Sequence, residues 1–326
     1  MTDLKKKILA AVETDLAEIE AALSENLTPH LDLVADVAGH ILFSGGKRLR
    51  PLLMVLSARL CGYSGNYDKT FSTALEYLHA ATLLHDDLVD DAQLRRGKPV
   101  AHLKWGSSIA VLVGDFLLAR ALTIAAGTGS LAVIKILSEL TENMSQGEVH
   151  QLIRRGDISL TEEEYLEVIK RKTALLFQAA CRVSAILAGA PPEQENALSV
   201  YGYHLGIAFQ MADDLFDYIL ETATLGKEIG TDLKEGKLTL PVIYALKQAR
   251  PSDRAQMIQI IQDENFSSHD FKHLTGLLDE YGGLDYTSQR AAGYIKTAKD
   301  ALAVFAPSDT KNTLLDIADY ALARRV

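Results

Sequence analysis

Apolar side chains recur every three or four residues through nearly all of the 326-residue chain. Leu166, Ile169, Thr173, Leu176, Phe177 and Ala180 keep the i, i+3, i+4, i+7 spacing of one helix face. Thr161-Glu162-Glu163-Glu164, just before them, has the form of a capping box and predicts where that helix starts. The eight prolines fall mostly between such runs, at Pro51, Pro99, Pro191-Pro192, Pro241, Pro251 and Pro307. Strand-like alternation is scarce. The pattern predicts an all-α fold of roughly a dozen helices. No composition shift or low-complexity linker divides 1–326, so a single domain is expected.

The most apolar stretch, Ile109 to Ala126, is interrupted by Asp115 and Arg120. A membrane-spanning helix needs about 20 mainly apolar residues with few or no charges. This one is expected to be a buried helix, and no transmembrane segment is expected. The first residues have no long apolar core and no small-residue cleavage site, so no signal peptide is expected.

Two acidic clusters stand out against this background. Asp86-Asp87-Leu88-Val89-Asp90 and Asp213-Asp214-Leu215-Phe216-Asp217 share the form D-D-x-x-D. On a helix the first and last Asp of each lie one turn apart on one face, where like charges repel. One such cluster could be a solvated face. Two, each preceded by apolar sequence, imply that a cation cancels the repulsion. The donors are all hard oxygens, which favours Mg2+ or Mn2+ over Zn2+. Mg2+ held by few carboxylates keeps its other positions for water and substrate phosphates.

Basic segments supply the matching charge. Gly45-Gly46-Lys47-Arg48-Leu49-Arg50-Pro51 puts Lys47 and Arg50 three apart, on one face if a helix begins there. Lys and Arg together suit a diphosphate; the plainer reading is an exposed basic helix start. His79 precedes Asp86 by two turns on nearly the same face, whereas His85 is off that face and reads as structural. Arg95 and Arg96 follow the first cluster, either as a surface ion-pair network, which contributes little, or as half of a diphosphate clamp. Lys172-Thr173 interrupts an apolar helix, and Gln210 shares the face of Asp213. Lys227 and the turn Gly230-Thr231-Asp232 to Lys237 complete the set, or are simply a solvated turn.

Net charge is -10 with a pI near 5.4, which argues against wholesale nucleic-acid binding. Cys61 and Cys181 lie in apolar stretches and read as reduced core thiols of a cytoplasmic protein.

Taken together, Gly45 to Pro51, Leu84 to Asp90, Leu94 to Gly97, Gly114-Asp115, Lys172-Thr173, Phe209 to Asp217 and Gly230 to Leu240 resemble, in order, the trans-isoprenyl diphosphate synthases of the long-chain polyprenyl branch. The resemblance implies a helical bundle of the isoprenoid synthase type around a central apolar tunnel. It implies condensation of an allylic diphosphate, farnesyl diphosphate above all, with successive isopentenyl diphosphates to an all-trans polyprenyl diphosphate for quinone side chains. By overall similarity the product is in the octaprenyl range, with geranylgeranyl or hexaprenyl as the shorter alternative. It implies Mg2+, about three ions per site with substrate bound, replaceable by Mn2+. It also implies a homodimer and a peripheral membrane contact for product release.

Position by position, the resemblance makes Asp86, Asp90 and Asp213 metal ligands, supported by Asp87, Asp214 and Asp217. Arg95, Lys172, Thr173, Gln210 and Lys227 would contact the allylic diphosphate, with Lys172 and Lys227 aiding ionisation. Lys47, Arg50, His79 and Arg96 would hold isopentenyl diphosphate. Asp91, directly after the first cluster, is not expected to be a ligand.

Other readings fit less well. A class I terpene cyclase uses similar acidic helices but needs no isopentenyl diphosphate site. A non-catalytic synthase subunit usually lacks intact Asp clusters. A ferritin-like di-metal bundle uses Glu and Glu-x-x-His.

Chain length would be set along the helix before Asp86, where each turn rises about 5.4 Å, close to one isoprene unit. Short-chain relatives place a bulky aromatic four or five residues before the first Asp; here Thr82 and Ala81 are small. Leu78 is two turns back, and Tyr77, Ala125 and Leu137 are candidates for the floor. Ala81→Phe or Ala81→Tyr is therefore predicted to shorten the product while activity persists, read by chromatography of dephosphorylated products. Unchanged long products from an active variant would show that Ala81 does not face the chain.

Overall fold

The computed structural model describes residues 3–65, 67–219, 230–263 and 265–323. Among them the chain is all-α, with sixteen α-helices, one π-helical turn, one 3-10 turn and one two-stranded hairpin. It divides into two compact units: residues 1–141, 176–202 and 301–317, and residues 142–175, 203–300 and 318–326.

The first unit is built around α4 (Tyr67–Val89). An unbroken run from Phe71 to Leu78 is buried, so this helix is covered on every side rather than on one stripe, with Ser72, Thr73 and Glu76 among the buried residues. α1 (Asp3–Glu25), α2 (Asp32–Leu42) and α3 (Leu49–Leu60) pack on it. α1 does so through Ile8, Val12, Ile19 and Leu23, which recur at helical spacing. The Tyr77 hydroxyl donates to the Leu23 carbonyl at 2.6 Å and ties α1 to α4.

α6 (Ser107–Gly127) makes the most extensive contact with α4. His85 lies against it, its Nε2 3.2 Å from the Val111 carbonyl; an added Cβ on Gly114 would meet that nitrogen at 2.3 Å. α6 is not the fully buried helix that its composition predicts. One face is covered, including Ala125, but Leu112 is 65% exposed and Leu122 37%. By length and composition alone it could cross a membrane.

α4 ends on the first acidic cluster. Asp91 is left-handed at φ 48°, Ala92 N–H donates to the Asp87 carbonyl at 2.9 Å, and the helix stops in a Schellman turn. Asp91 thus caps the helix. The chain then forms the hairpin β1 (Leu94–Arg95) and β2 (Lys98–Pro99), with Leu94 opposite Pro99. Its two turn residues, Arg96 and Gly97, have φ of 53° and 75°, as a two-residue turn of this handedness requires. His40 Nε2 lies 2.8 Å from the Pro99 carbonyl and moors the hairpin to α2.

In the second unit, α8 (Glu162–Ile169) starts at the expected capping box, Thr161 with Glu164. The predicted single helix through Phe177 is interrupted: Lys170–Ala174 form one π-helical turn before α9 (Leu175–Leu187). Such turns insert one extra residue and recur at functional sites. One core joins Tyr165, Ile169, Ile207, Met211, Leu240 and Ala291; another joins Tyr218, Val242, Met257, Phe271 and Leu278.

α9 and the start of α10 (Pro192–Ile219) run antiparallel within the first unit, with Gln178 bonded to Ser199 at 2.9 Å and Arg182 to Glu195 at 2.8 Å. A Cβ on Gly202 would stand 2.5 Å from the Phe177 carbonyl oxygen and 2.9 Å from Gln178 Cα. Both obstacles are backbone, so the helices themselves must move apart. Gly202→Ala is predicted to cost about 1–3 kcal/mol by overpacking, measured as a lower thermal midpoint.

Candidate active site

In the first unit, carboxylates and arginines gather toward the C-terminal end of α4. Asp86 and Asp90 are half-buried one turn apart, while Asp87 is buried. These positions lie where the helix dipole is negative, so the dipole adds to their mutual repulsion. Arg95 answers part of it: its Nε and Nη2 donate to Asp87 Oδ1 at 2.8 and 2.6 Å. Arg95 sits on a strand and Arg96 at the tip of a hairpin turn. Arg96 instead turns back to Ser44 Oγ, 3.3 Å from its Nη1.

Lys47 and Arg50 do not share a helix face. α3 begins at Leu49, so Lys47 is exposed in the preceding loop and Arg50 lies in the first turn, over the Phe177 ring at 5.2 Å. Between them Arg48, which the sequence did not single out, is buried and left-handed at φ 46°. A non-glycine residue there stores about 1–3 kcal/mol of strain, which surrounding contacts must offset.

His79 is half-buried two turns before Asp86. Burial, with Arg50, Arg95, Arg96 and Arg48 around it, holds its pKa well below the usual 6.5, so the ring is neutral at pH 7. Thr82 donates to the His79 carbonyl at 2.8 Å; Ala81, Leu78 and Tyr77 are buried further back along α4, and Leu137 is buried on α7 (Leu131–Ile153).

The second unit holds a cavity of about 140 Å³ lined by Tyr165, Lys172, Thr173, Gln210, Asp214 and Lys237 among others. The π turn aims Lys172 and Thr173 into it. Lys172 Nζ pairs with Glu148 at 2.6 Å and lies 3.3 Å from Gln151 Oε1. Thr173 donates to Gln210 Oε1 at 2.8 Å, and Gln210 Nε2 donates to Asp214 Oδ1 at 2.8 Å. Gln210 therefore meets Asp214, one turn on, and not Asp213. Tyr165 donates to the other Asp214 oxygen at 2.6 Å. Burial pushes the Asp214 carboxyl up to about 6, with Asp213 and Asp217 adding to it, although the bonds from Tyr165 and Gln210 pull it down. Asp217 is buried and accepts the Asp232 backbone N–H at 3.1 Å; Asp213 is exposed.

Tyr165 and Glu148 complete this site, and sequence reading missed both. The only signal for Tyr165 was its two-turn spacing to Lys172, which a core tyrosine shares; Glu148, on another helix, carried none. Lys227 lies outside the described residues.

Among the described residues no three His, Cys, Asp or Glu side chains form a ready metal cage. An ion here could be held by only one or two carboxylates per cluster, with water and phosphate filling its other positions. Asp86, Asp90 and Asp213 are the donors such an ion would use. Asp87 accepts from Arg95, Asp214 from Tyr165 and Gln210, and Asp217 from the Asp232 backbone N–H.

A polyprenyl synthetase family model matches residues 32–278. Octaprenyl diphosphate synthase of Escherichia coli is 40% identical, covering 98% of both chains. The all-trans-nonaprenyl-diphosphate synthase (geranyl-diphosphate specific) of Rhodobacter capsulatus is 37% identical over 99% of this chain and 98% of its own. The crystal structure of a polyprenyl synthase from Caulobacter crescentus, complexed with calcium and isoprenyl diphosphate, superposes with a TM-score of 0.92 at 40% identity, covering 98% of both chains.

The neutral His79 gives a pH prediction. Above about 6.5 the ring is uncharged in both folded and unfolded chains. As pH falls below 6.5, the unfolded chain takes up the proton first, and stability is lost until the folded ring titrates. His79→Asn removes that loss. From pH 7 to 5 the wild type should lose stability relative to the variant, at no more than about 1.4 kcal/mol per pH unit. Denaturant unfolding of both proteins across that range measures it; parallel curves would place a charged or solvated ring at 79.

Proposed function

The chain belongs to the polyprenyl synthetase family, and on that premise we propose how its residues make a polyprenyl diphosphate. It is a trans-polyprenyl diphosphate synthase. The allylic primer is farnesyl diphosphate, extended by isopentenyl diphosphate to an all-trans product near octaprenyl length. The 40% identity to the Escherichia coli octaprenyl enzyme over nearly the whole chain supports that length; a shorter, hexaprenyl or geranylgeranyl product is the alternative. The same coverage supports reading 1–326 as one synthase domain. The observation that carries the proposal is the gathering of Arg50, Arg95 and Arg96 around His79, with Arg95 bonded to Asp87 at the acidic end of α4.

Asp86 and Asp90, with Asp213, would hold Mg2+, or Mn2+ in its place, against the allylic diphosphate. When bound, the ions neutralise the charge that grows on the leaving diphosphate as the allylic C–O bond breaks. Lys172, Thr173, Gln210, Arg95 and Lys227 contact the same diphosphate. Phosphate oxygens only accept, so Thr173 must release Gln210 to donate its one hydroxyl proton, and Lys172 must exchange Glu148 for substrate. Lys47, Arg50, Arg96 and neutral His79 hold the diphosphate of isopentenyl diphosphate. Its alkene attacks the allylic cation, and the proton lost from the new chain goes to the departed diphosphate. The small Ala81 and Thr82 leave room for the growing apolar chain, which shields the cation from water.

A homodimer is supported by the exposed apolar residues of α6, Leu112, Ala119, Leu122 and Ala126, which surround Asp115 on one helix face. A cytoplasmic location is supported by the two cysteines, both free; burial pushes Cys61 up to about 11 and Cys181 to about 12, so neither is a reactive thiolate.

Purified protein with farnesyl diphosphate, isopentenyl diphosphate and Mg2+ should give long dephosphorylated prenols on chromatography. Asp86→Ala and Asp213→Ala should each lower turnover about 100-fold or more, while thermal stability holds or rises because a repelling charge is gone. Near-normal turnover in either variant would refute the two-cluster assignment.

A further inference from the structure

The basic segment Gly45–Pro51 contains one arginine to which substrate binding gives no task. Arg48 has a side chain only 4% exposed. Its Nε donates to Glu20 Oε1 at 2.6 Å, its Nη1 to Glu76 Oε1 at 2.7 Å, and its Nη2 to the Leu42 carbonyl at 2.5 Å and Glu20 Oε2 at 3.3 Å. Four of its five donors are thereby taken, and little remains for a ligand. These bonds fasten the loop to α1, to the end of α2 and to α4. The left-handed backbone at the same residue turns the chain into α3.

Lys47 leaves this fixed point on one side and Arg50 on the other. Glu76 stands one turn before His79 on α4. Gly46 abuts Arg96, whose Nη1 would be 3.3 Å from an added Cβ. A shift of Arg48 would therefore move the whole basic group.

We infer that Arg48, held by Glu76 and by Glu20 of α1, is a positioning residue for the isopentenyl diphosphate subsite. It touches no substrate and fixes where Lys47, Arg50 and Arg96 stand. The inference rests on the proposed assignment of those three to that diphosphate. Glu20 lies outside residues 32–278 spanned by the family model, so the first helix of this chain helps shape a substrate site.

Steady-state kinetics with farnesyl diphosphate, isopentenyl diphosphate and Mg2+ test this on Glu20→Gln and Arg48→Gly. Glycine accepts the left-handed backbone, so Arg48→Gly removes the guanidinium and keeps the turn. Glu20 is 45% exposed, and losing its charge should leave the fold intact. The KM for isopentenyl diphosphate should rise about 5-fold in Glu20→Gln and more than about 10-fold in Arg48→Gly, with the farnesyl diphosphate KM within about 2-fold. An unchanged isopentenyl diphosphate KM in folded Glu20→Gln, or an equal rise of both constants, overturns the inference. If Arg48→Gly does not fold, Glu20→Gln decides alone. Lys47→Ala separates the two levels. If it raises that KM and the other variants do not, only the positioning role fails. If it leaves the KM unchanged, the subsite assignment falls and the inference with it.

Discussion

Negative charge at the end of α4 is the constraint around which the first unit is arranged. Three aspartates sit at the end of a helix, where its dipole is negative. Left alone, Asp86, Asp87 and Asp90 would fray that end. Arg95 of the following hairpin donates to Asp87, and Arg50 and Arg96 stand around His79 two turns back along the helix. Three non-glycine residues with positive φ, Arg48, Asp91 and Arg96, lie at the corners of this construction. Each corner is a sharp change of chain direction that ordinary backbone angles would not make.

The second unit handles its acidic cluster differently. Asp214 is buried, and both its oxygens accept hydrogen bonds, from Tyr165 and Gln210. Asp217 accepts a backbone N–H. Only Asp213 is left at the surface of its cluster. Two identical sequence motifs thus meet different surroundings. In both, the middle aspartate is buried and accepts side-chain hydrogen bonds, Asp87 from Arg95 and Asp214 from Tyr165 and Gln210.

The π turn at Lys170–Ala174 connects local structure to this chemistry. The extra residue in the turn breaks the helical register, so Lys172 and Thr173 reach the cavity while Leu176, Phe177 and Ala180 stay buried in α9. A regular helix would carry Thr173 on the same stripe as Leu176 and Phe177, as the sequence periodicity implied.

Periodicity and the capping box at Thr161 determined the all-α class, because both depend on residues within a few positions of one another. The paired D-D-x-x-D clusters and the order of the basic segments determined the family, since charge type and spacing are written directly in the chain. The tertiary structure decided what depends on distant partners. Arg48 carried no signal of its own within the basic segment, and its role came from Glu20 and Glu76, 28 positions away on either side. Lys47 and Arg50 lost their shared face because the left-handed residue between them delays α3. Arg96 reached the tip of a hairpin by a two-residue turn too short for any periodicity to register. Tyr165 was one apolar position among many until α10 brought Asp214 to its hydroxyl. Local pattern records what a residue can do, and long-range packing assigns the partner with which it does it.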